Sequence, residues 1–536
     1  MTKMHSSVMS LKKISNLFFC FCFCGIMLIP LTVKLIGLAP TPVVGENRPL
    51  ASSPAWFNQK IRKWPSILDS WFNDHLAFRS HLLGLYIRYW EKGLDAPVKV
   101  NVTGRKNEMF MQHISPTVTP YLGVHPLSKE HLVNLKLGYA GTQAWFQSHG
   151  IPYLLVSIPD KTTLYPEWLP FWAAWKKGQS RYQQIVDVLS KSDIEYLDML
   201  PVLAKQKSSM RLYNIWFDVC HWNGNALSIA YQTIGRRISK WSPAFTPRPE
   251  FYSIVPTDAY RYQYGSETVP YLRLQHPDLL ENHSNLLPGE EAPKNWMGPL
   301  LLINKNQEKH GLWFMSDSYF SMTHTEQLPQ CVGSISPLAL HVQAFLRTHY
   351  NRFSLTFAND VLNIFRPTVV VEAFVERSQG ARTRANDPLI RILGDIFLKT
   401  PSHILKPDMD LATVKTVNAE FNRKSEAENA LTLIAENKDP IILLPSLKAD
   451  NDGRVAVMGH IQAPGNTAIQ LFYAQKDQGF SGDRVVTQPL KKGTNLIHLH
   501  VSVTPGEWVK LRLDPGGVPG DYHFLALPEA ATRTAG

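Results

Sequence analysis

Gly311-Leu-Trp-Phe-Met-Ser-Asp-Ser-Tyr-Phe320 is the stretch on which the fold turns. An apolar run of five residues stops abruptly at Ser316, Asp317 and Ser318, the pattern of a short strand buried on both faces and ended by polar residues. Two runs of the same kind lie either side of it, Tyr153-Leu-Leu-Val-Ser-Ile158 and Pro367-Thr-Val-Val-Val371. Between the first two, Tyr182, Ile185, Val186 and Leu189 recur at the spacing of one helix face. Strands alternating with helices predict an α/β fold with a mainly parallel sheet flanked by helices. In such sheets ligands bind in the crevice at the carboxyl ends of the strands. Ser318, just past a strand end, would project its hydroxyl there. Taken alone, Asp317-Ser318 is more often a helix cap.

Two further segments carry candidate chemistry. In Trp216-Phe-Asp-Val-Cys-His-Trp-Asn223, Asp218 and His221 are three residues apart. One turn of backbone would let the carboxylate accept from one ring nitrogen while the other faces a hydroxyl. The competing reading is a buried His among aromatics with Asp218 capping the helix that starts near Asn223. Ile158-Pro-Asp-Lys-Thr-Thr-Leu-Tyr-Pro166 closes the first strand on the same crevice edge. Lys161 and Tyr165 there either bind a polar substrate or shape the loop. His498-x-His500 has metal-like spacing, but it lies on a strand with no third ligand nearby and reads as a solvent face.

The chain has 536 residues, 44% hydrophobic and 18% charged, which excludes a disordered chain. Its formal net charge is +11, yet the basic residues are scattered and form no nucleic-acid-reading helix or arm. Five Cys without a C-x-x-C pair exclude a disulfide scaffold and a zinc ribbon. Lys3, Lys12 and Lys13 precede an uncharged apolar stretch from Ile14 to Val33, and about 20 such residues span a bilayer as a helix. The flanking charge puts the amino end in the cytoplasm and the rest outside. A cleaved signal peptide fits less well, because Gly37–Pro42 is a poor cleavage site. Cys220 and Cys331 remain outside the span, and sequence leaves their pairing open.

These signals divide the chain into a cytoplasmic tail (1–13), a transmembrane signal-anchor (14–34), and a linker with an amino-terminal helical region (35–110). An α/β domain follows (111–400), with an insertion of short, Pro-punctuated strands at about 245–300. Residues 401–436, charged and Ala/Glu/Lys-rich, predict a linking helix. Period-two alternation at Ile497, Leu499, Val501 and at Val509, Leu511, Leu513 predicts a carboxy-terminal β-sandwich over 437–536.

Together the motifs resemble the alginate O-acetyltransferase AlgJ/AlgX-like group of SGNH-hydrolase-like proteins. Glu46-Asn-Arg48 followed by Asn73-Asp-His75 and Phe78-Arg79 is similar to that family's amino-terminal region. Pro159-Asp-Lys161 with Tyr165–Pro170 resembles its PxK…YP loop, and His221-Trp-Asn223 its DTHWN block. Asp317-Ser318 resembles its GDSF nucleophile block, and Val369–Val371 with Glu376-Arg377 its late segment. Two positions depart from the pattern. Ser316 replaces the Gly before Asp-Ser, and Val219 stands where the family's Asp precedes its His by two. Asp218 instead has the D-x-x-H spacing of SGNH/GDSL esterases.

The resemblance implies an SGNH-like domain and a carbohydrate-binding sandwich. It implies acetyl transfer to an extracytoplasmic polysaccharide, with Ser318 as nucleophile, His221 as base and Asp218 orienting it. Lys161, Tyr165 and Tyr319 would touch substrate, and no metal or bound cofactor is implied. The implied setting is a bacterial inner membrane, crossed once, with the catalytic domain in the periplasm and a membrane-bound acyltransferase partner supplying acetyl. A carbohydrate acetylesterase using the same residues, or a non-catalytic glycan-binding or export scaffold, are the alternatives.

Overall fold

The structure, a computed structural model, describes residues 16–25, 28–30, 32–33, 36–38, 51, 64–75 and 77–78. From 101 to 534 it describes all but 113–115, 175, 177, 216–217, 262–264, 288–298, 308–309, 322–336, 350–352, 380–385, 423–429, 436–438 and 476. A seven-stranded sheet occupies the centre. Its strands in chain order are β1 (Tyr153–Ile158), β2 (Tyr196–Asp198), β3 (Leu280–Asn282), β4 (Leu300–Asn304), β5 (Gly311–Ser316), β6 (Ala344–His349) and β7 (Val369–Val375). Across the sheet they run β2-β1-β7-β5-β6-β4-β3. The first five in that order pair in parallel, while β4 and β3 pair antiparallel at one edge. All three apolar runs of the sequence are therefore adjacent central strands, β1-β7-β5.

Their side chains alternate between two cores, as the period of two demands. Leu154, Val156, Leu312, Phe314, Val369 and Val371 point to one face, onto a helix running Gly224–Ile238. Tyr153, Leu155, Trp313, Met315 and Val370 point to the other. Helices α1 (Lys129–Ser148), α2 (Arg181–Leu189), α5 (Leu355–Ile364) and α6 (Pro388–Phe397) cover that second face, the helix Gly224–Ile238 being α3 and Ser318–Ser321 α4. Local signals start these helices. Ser180 and Gln183 form a reciprocal capping box at α2, and Asp387 accepts from Leu389 and Ile390 N–H at α6. The α1 and α6 backbones touch at two glycines. A Cβ on Gly141 would fall 1.9 Å from Ile390 O, and one on Gly394 2.4 Å from Leu137 O.

Three expectations need correction. Residues 401–436 hold strands, not a linking helix: Ser402–Leu405, Lys415–Val417, Ala419–Asn422 and Ala430–Ala435 all pair in sheets. Leu431 and Leu433 are buried in the sandwich core, so packing outweighs the helical bias of the composition. The two sandwich sheets thus begin at Ser402 rather than near 437. The insertion at 245–300 is not built of short strands alone. It holds a hairpin of two ten-residue strands, Tyr252–Arg261 and Gly265–Leu274, in which Pro256 faces Pro270. A two-stranded ribbon has free edges, so neither proline costs a ladder bond. His498, expected on a solvent face, is 4% exposed and hydrogen-bonds Asp395 of α6 at 2.5 Å.

At the amino terminus residues 16–25, 28–30 and 32–33 are helical, while 14–15, 26–27, 31 and 34 lie outside the described residues. Among the described residues no helix is long and apolar enough to cross a membrane. Within the amino-terminal region Trp64–His75 is a helix. Glu46–Arg48 and Cys331, and with Cys331 the pairing question, lie outside the described residues.

Candidate active site

The site forms where β5 ends, beside the loop that leads into α3. Asp317 is buried and ties that strand end down: one carboxylate oxygen accepts from Val375 N–H at 2.8 Å, the other from Tyr319 N–H at 3.0 Å. The turn from β5 into α4 is thereby pinned to the end of β7. Ser318 opens α4 directly after it, and its own side chain lies outside the described residues.

Asp218 and His221 meet as a pair. His221 Nδ1 is 2.9 Å from Asp218 Oδ2, and Asp218 Oδ1 also accepts from the backbone N–H groups of Cys220 (2.9 Å) and His221 (3.2 Å). Asp218 does not cap α3. Asn223 does, accepting from Asn225 and Ala226 N–H, which leaves the carboxylate to the imidazole. For Asp218, burial works upward on the pKa, but the His221 charge and these hydrogen bonds hold it below the usual carboxylate range. For His221, burial works downward, yet Asp218 and then Asp317 raise it above the ordinary imidazole value.

Strand end and loop, almost a hundred residues apart in the chain, are clamped together. Trp222 Nε1–H donates to Tyr319 O at 3.1 Å, and the Tyr319 hydroxyl donates to Cys220 O at 2.5 Å. The Tyr319 and His221 rings are 5.3 Å apart. So the residue following Ser318 touches the residues flanking His221. Arg377, just past β7, completes the clamp: it ion-pairs with Asp160, donates to Cys220 O at 3.2 Å, and lies over the Tyr319 ring. Burial lowers its pKa to about 10, so it stays charged at neutral pH. Asp160 and Arg377 are site residues that the motif chemistry did not single out. The signal available was a charged Glu376-Arg377 pair directly after a strand buried along its whole length.

The three expected substrate-binding residues are placed otherwise. Lys161 is 3% exposed; its ammonium pairs with Glu108 at 2.8 Å and donates to the carbonyls of Met109, Asn214 and Ile215. Every proton of that ammonium is engaged, so it holds the loop rather than facing a crevice. Burial first, against the Glu108 attraction, lowers its pKa to about 8. Tyr165 is fully buried, stacks on Trp168 at 4.1 Å, and accepts from Leu212 N–H. Tyr319 is fully buried as well and serves the clamp. Ser316, the rival hydroxyl, is fully buried, and its Oγ finds no partner among the described residues.

Residues 124–260 match the family model described as SGNH hydrolase-like domain, acetyltransferase AlgX. No curated protein matches the chain. Among solved structures, Bacillus cereus PatB1 is similar at 11% identity and a TM-score of 0.37, covering 52% of this chain and 97% of its own. The O-acetyltransferase domain of Pseudomonas putida AlgJ is similar at 14% identity and 0.36, over 55% of this chain and 99% of its own. Pseudomonas aeruginosa AlgX is similar at 10% and 0.34, over 79% of this chain and 93% of its own. The matched residues include Asp218 and His221 and stop short of Ser318. Residues 124–260 of the chain are thus similar to an SGNH hydrolase-like domain of the AlgX acetyltransferase type.

Proposed function

We propose that this chain transfers acetyl groups to a polysaccharide outside the cytoplasm through a covalent acetyl-Ser318 intermediate. What supports the reading above all is the Asp218–His221 hydrogen bond of 2.9 Å on a loop bonded to the residue after Ser318. His221 takes the Ser318 proton as its oxygen attacks the acetyl donor, and returns that proton to the departing oxygen. A sugar hydroxyl then gives its proton to His221, attacks the ester and leaves acetylated, and Ser318 recovers a proton from the imidazolium. Asp218 orients the ring and stabilises its cationic form. The Ser318 backbone N–H would serve as one oxyanion donor. Losing such a donor costs about 10²–10³ in rate.

In this reading residues 14–34 anchor the chain in a bacterial inner membrane, with the catalytic domain in the periplasm beside a membrane-bound acyltransferase that delivers acetyl. The sandwich would hold the acceptor glycan. The test is fluorophosphonate labelling with mapping of the adduct, paired with an assay of an acetyl-donor ester and an acceptor oligosaccharide. The expected result is an adduct at Ser318 and an acetylated sugar. Donor hydrolysis with no acetylated sugar would replace the transferase with an esterase, and an unlabelled Ser318 with neither activity would replace it with a glycan-binding scaffold.

A further inference from the structure

Cys220 stands between Asp218 and His221, and its main chain serves the clamp. Its thiol is half-buried and lies 3.4 Å from the thioether of Met111. Ligand atoms of Asp218, Cys220 and His221 all lie within 4.8 Å of one another. Carboxylate, thiol and imidazole converging on one point are the donors zinc selects, at bond lengths of about 2.0–2.3 Å. Magnesium and calcium ask for six or more oxygens and gain little here. Around a tetrahedral ion the donors would stand roughly 3.3–3.8 Å apart, the separation those bond lengths imply. Occupancy therefore asks the three side chains to close by about 1 Å.

We propose that Asp218, Cys220 and His221 form an inhibitory site for zinc or an equally thiophilic divalent cation. Three protein ligands leave one position for water. The consequence rests on the role given to His221 above; the binding itself does not. A neutral imidazole has a single nitrogen lone pair. An ion that takes it leaves only an N–H on the other nitrogen, and the ring can no longer accept the Ser318 proton. The Cys220 thiol gives up its proton as the sulfur–metal bond forms, so protons and metal compete and binding tightens as pH rises. The ion is an off-switch. No step of the acetyl transfer passes through it.

Cobalt reports the thiolate directly, through its near-ultraviolet sulfur-to-metal absorption. The full chain and its Cys220→Ser variant are titrated with cobalt, with magnesium as the control ion, and then assayed for acetyl transfer in rising zinc. The variant is expected to lose a saturable part of the wild-type cobalt band, and its zinc response is read against its own metal-free rate. It should need at least about tenfold more zinc for half-inhibition, the lower end of what even indirect losses at metal sites cost. A cobalt band identical in the two proteins, or equal zinc sensitivity, overturns the proposal. If neither protein transfers acetyl, the band alone still decides the site, and the fault lies with the catalytic reading.

Discussion

At His221 two opposing influences set the proton affinity, and the balance decides how the reaction responds to pH. Burial disfavours the imidazolium, while Asp218 at 2.9 Å and the nearby Asp317 favour it and prevail. The proposed transfer needs the neutral ring. The rate should therefore rise with pH, with a midpoint above the roughly 6.5 of a free imidazole. Asp218→Asn removes the attraction and leaves the burial, so the midpoint moves down and the rate at neutral pH falls about 10²–10⁴-fold. A pH–rate profile with one midpoint for both proteins would separate Asp218 from the ring in the working enzyme. The two serines give a second contrast. Ser318→Ala should abolish transfer with the fold intact. Ser316→Ala deletes a buried hydroxyl without a described partner, so transfer should persist and stability rise by up to about 1 kcal/mol. Acetyl transfer measured beside thermal melting reads both.

At the scale of elements, the site is a junction between the end of β5, the loop before α3 and the start of the helix after β7. Arg377, on that helix, reaches the other two through Tyr319 and Cys220 O, and ties them to Asp160 in the loop after β1. A lysine there keeps the charge and loses the fork. Arg377→Lys should lower kcat about 10–100-fold with KM nearly unchanged, the equivalent of one charge-assisted hydrogen bond of 1.5–3 kcal/mol. A rise in KM with kcat preserved would instead put Arg377 on the substrate. Lys161 is tested the opposite way. Lys161→Ala leaves Glu108 to Arg211 alone and takes the donor from three carbonyls, and should cost about 3–5 kcal/mol in denaturant unfolding, whereas a substrate ligand would leave the unfolding curve alone and raise KM. The junction was partly legible in the sequence. Apolar runs ending in polar residues located β1, β5 and β7, because burial on both faces writes itself into composition. Asp218 and His221 were legible as neighbours within one turn. The fates of Lys161, Tyr165 and Tyr319 were not, since a Lys that binds sugar and a Lys that binds three carbonyls look alike until the loop around it is folded.

At the scale of the molecule, the sandwich is joined to the α/β body by a shared core rather than hung from it. Ala456, Met458, Leu527 and Ala531 of the carboxy-terminal part pack with Leu135 of α1 and Ile392 and Leu393 of α6. This junction escaped the sequence reading because alternation along Ile497–Val503 shows that two faces differ, not what covers the second. His498 and His500, the residues between the sandwich-core positions, face α6 instead of water. His498 hydrogen-bonds Asp395, which Arg454 approaches at 3.5 Å, and Arg391 hydrogen-bonds His500 at 3.0 Å. Burial, then the cationic arginines, lowers the His500 pKa to about 4, and burial also outweighs Asp395 to lower that of His498. For Asp395, burial works upward, but His498 and Arg454 hold the pKa low. The signs agree. Below about pH 6.5 the unfolded chain binds imidazole protons that the folded junction refuses, and at lower pH it binds a carboxylate proton as well. The junction's contribution to stability should thus fall as pH drops from 7 towards 4, and His498→Gln should flatten that part of the slope. Asp395→Ala, which leaves Arg454 buried without this carboxylate, should cost about 3–5 kcal/mol at neutral pH. Unfolding followed separately in each part, by labels on the α/β body and on the sandwich, is expected to give one coincident transition. Two transitions, with the sandwich melting alone and no acid dependence, would mean that the apolar contacts and the Asp395 bonds do not hold the two parts as one cooperative unit.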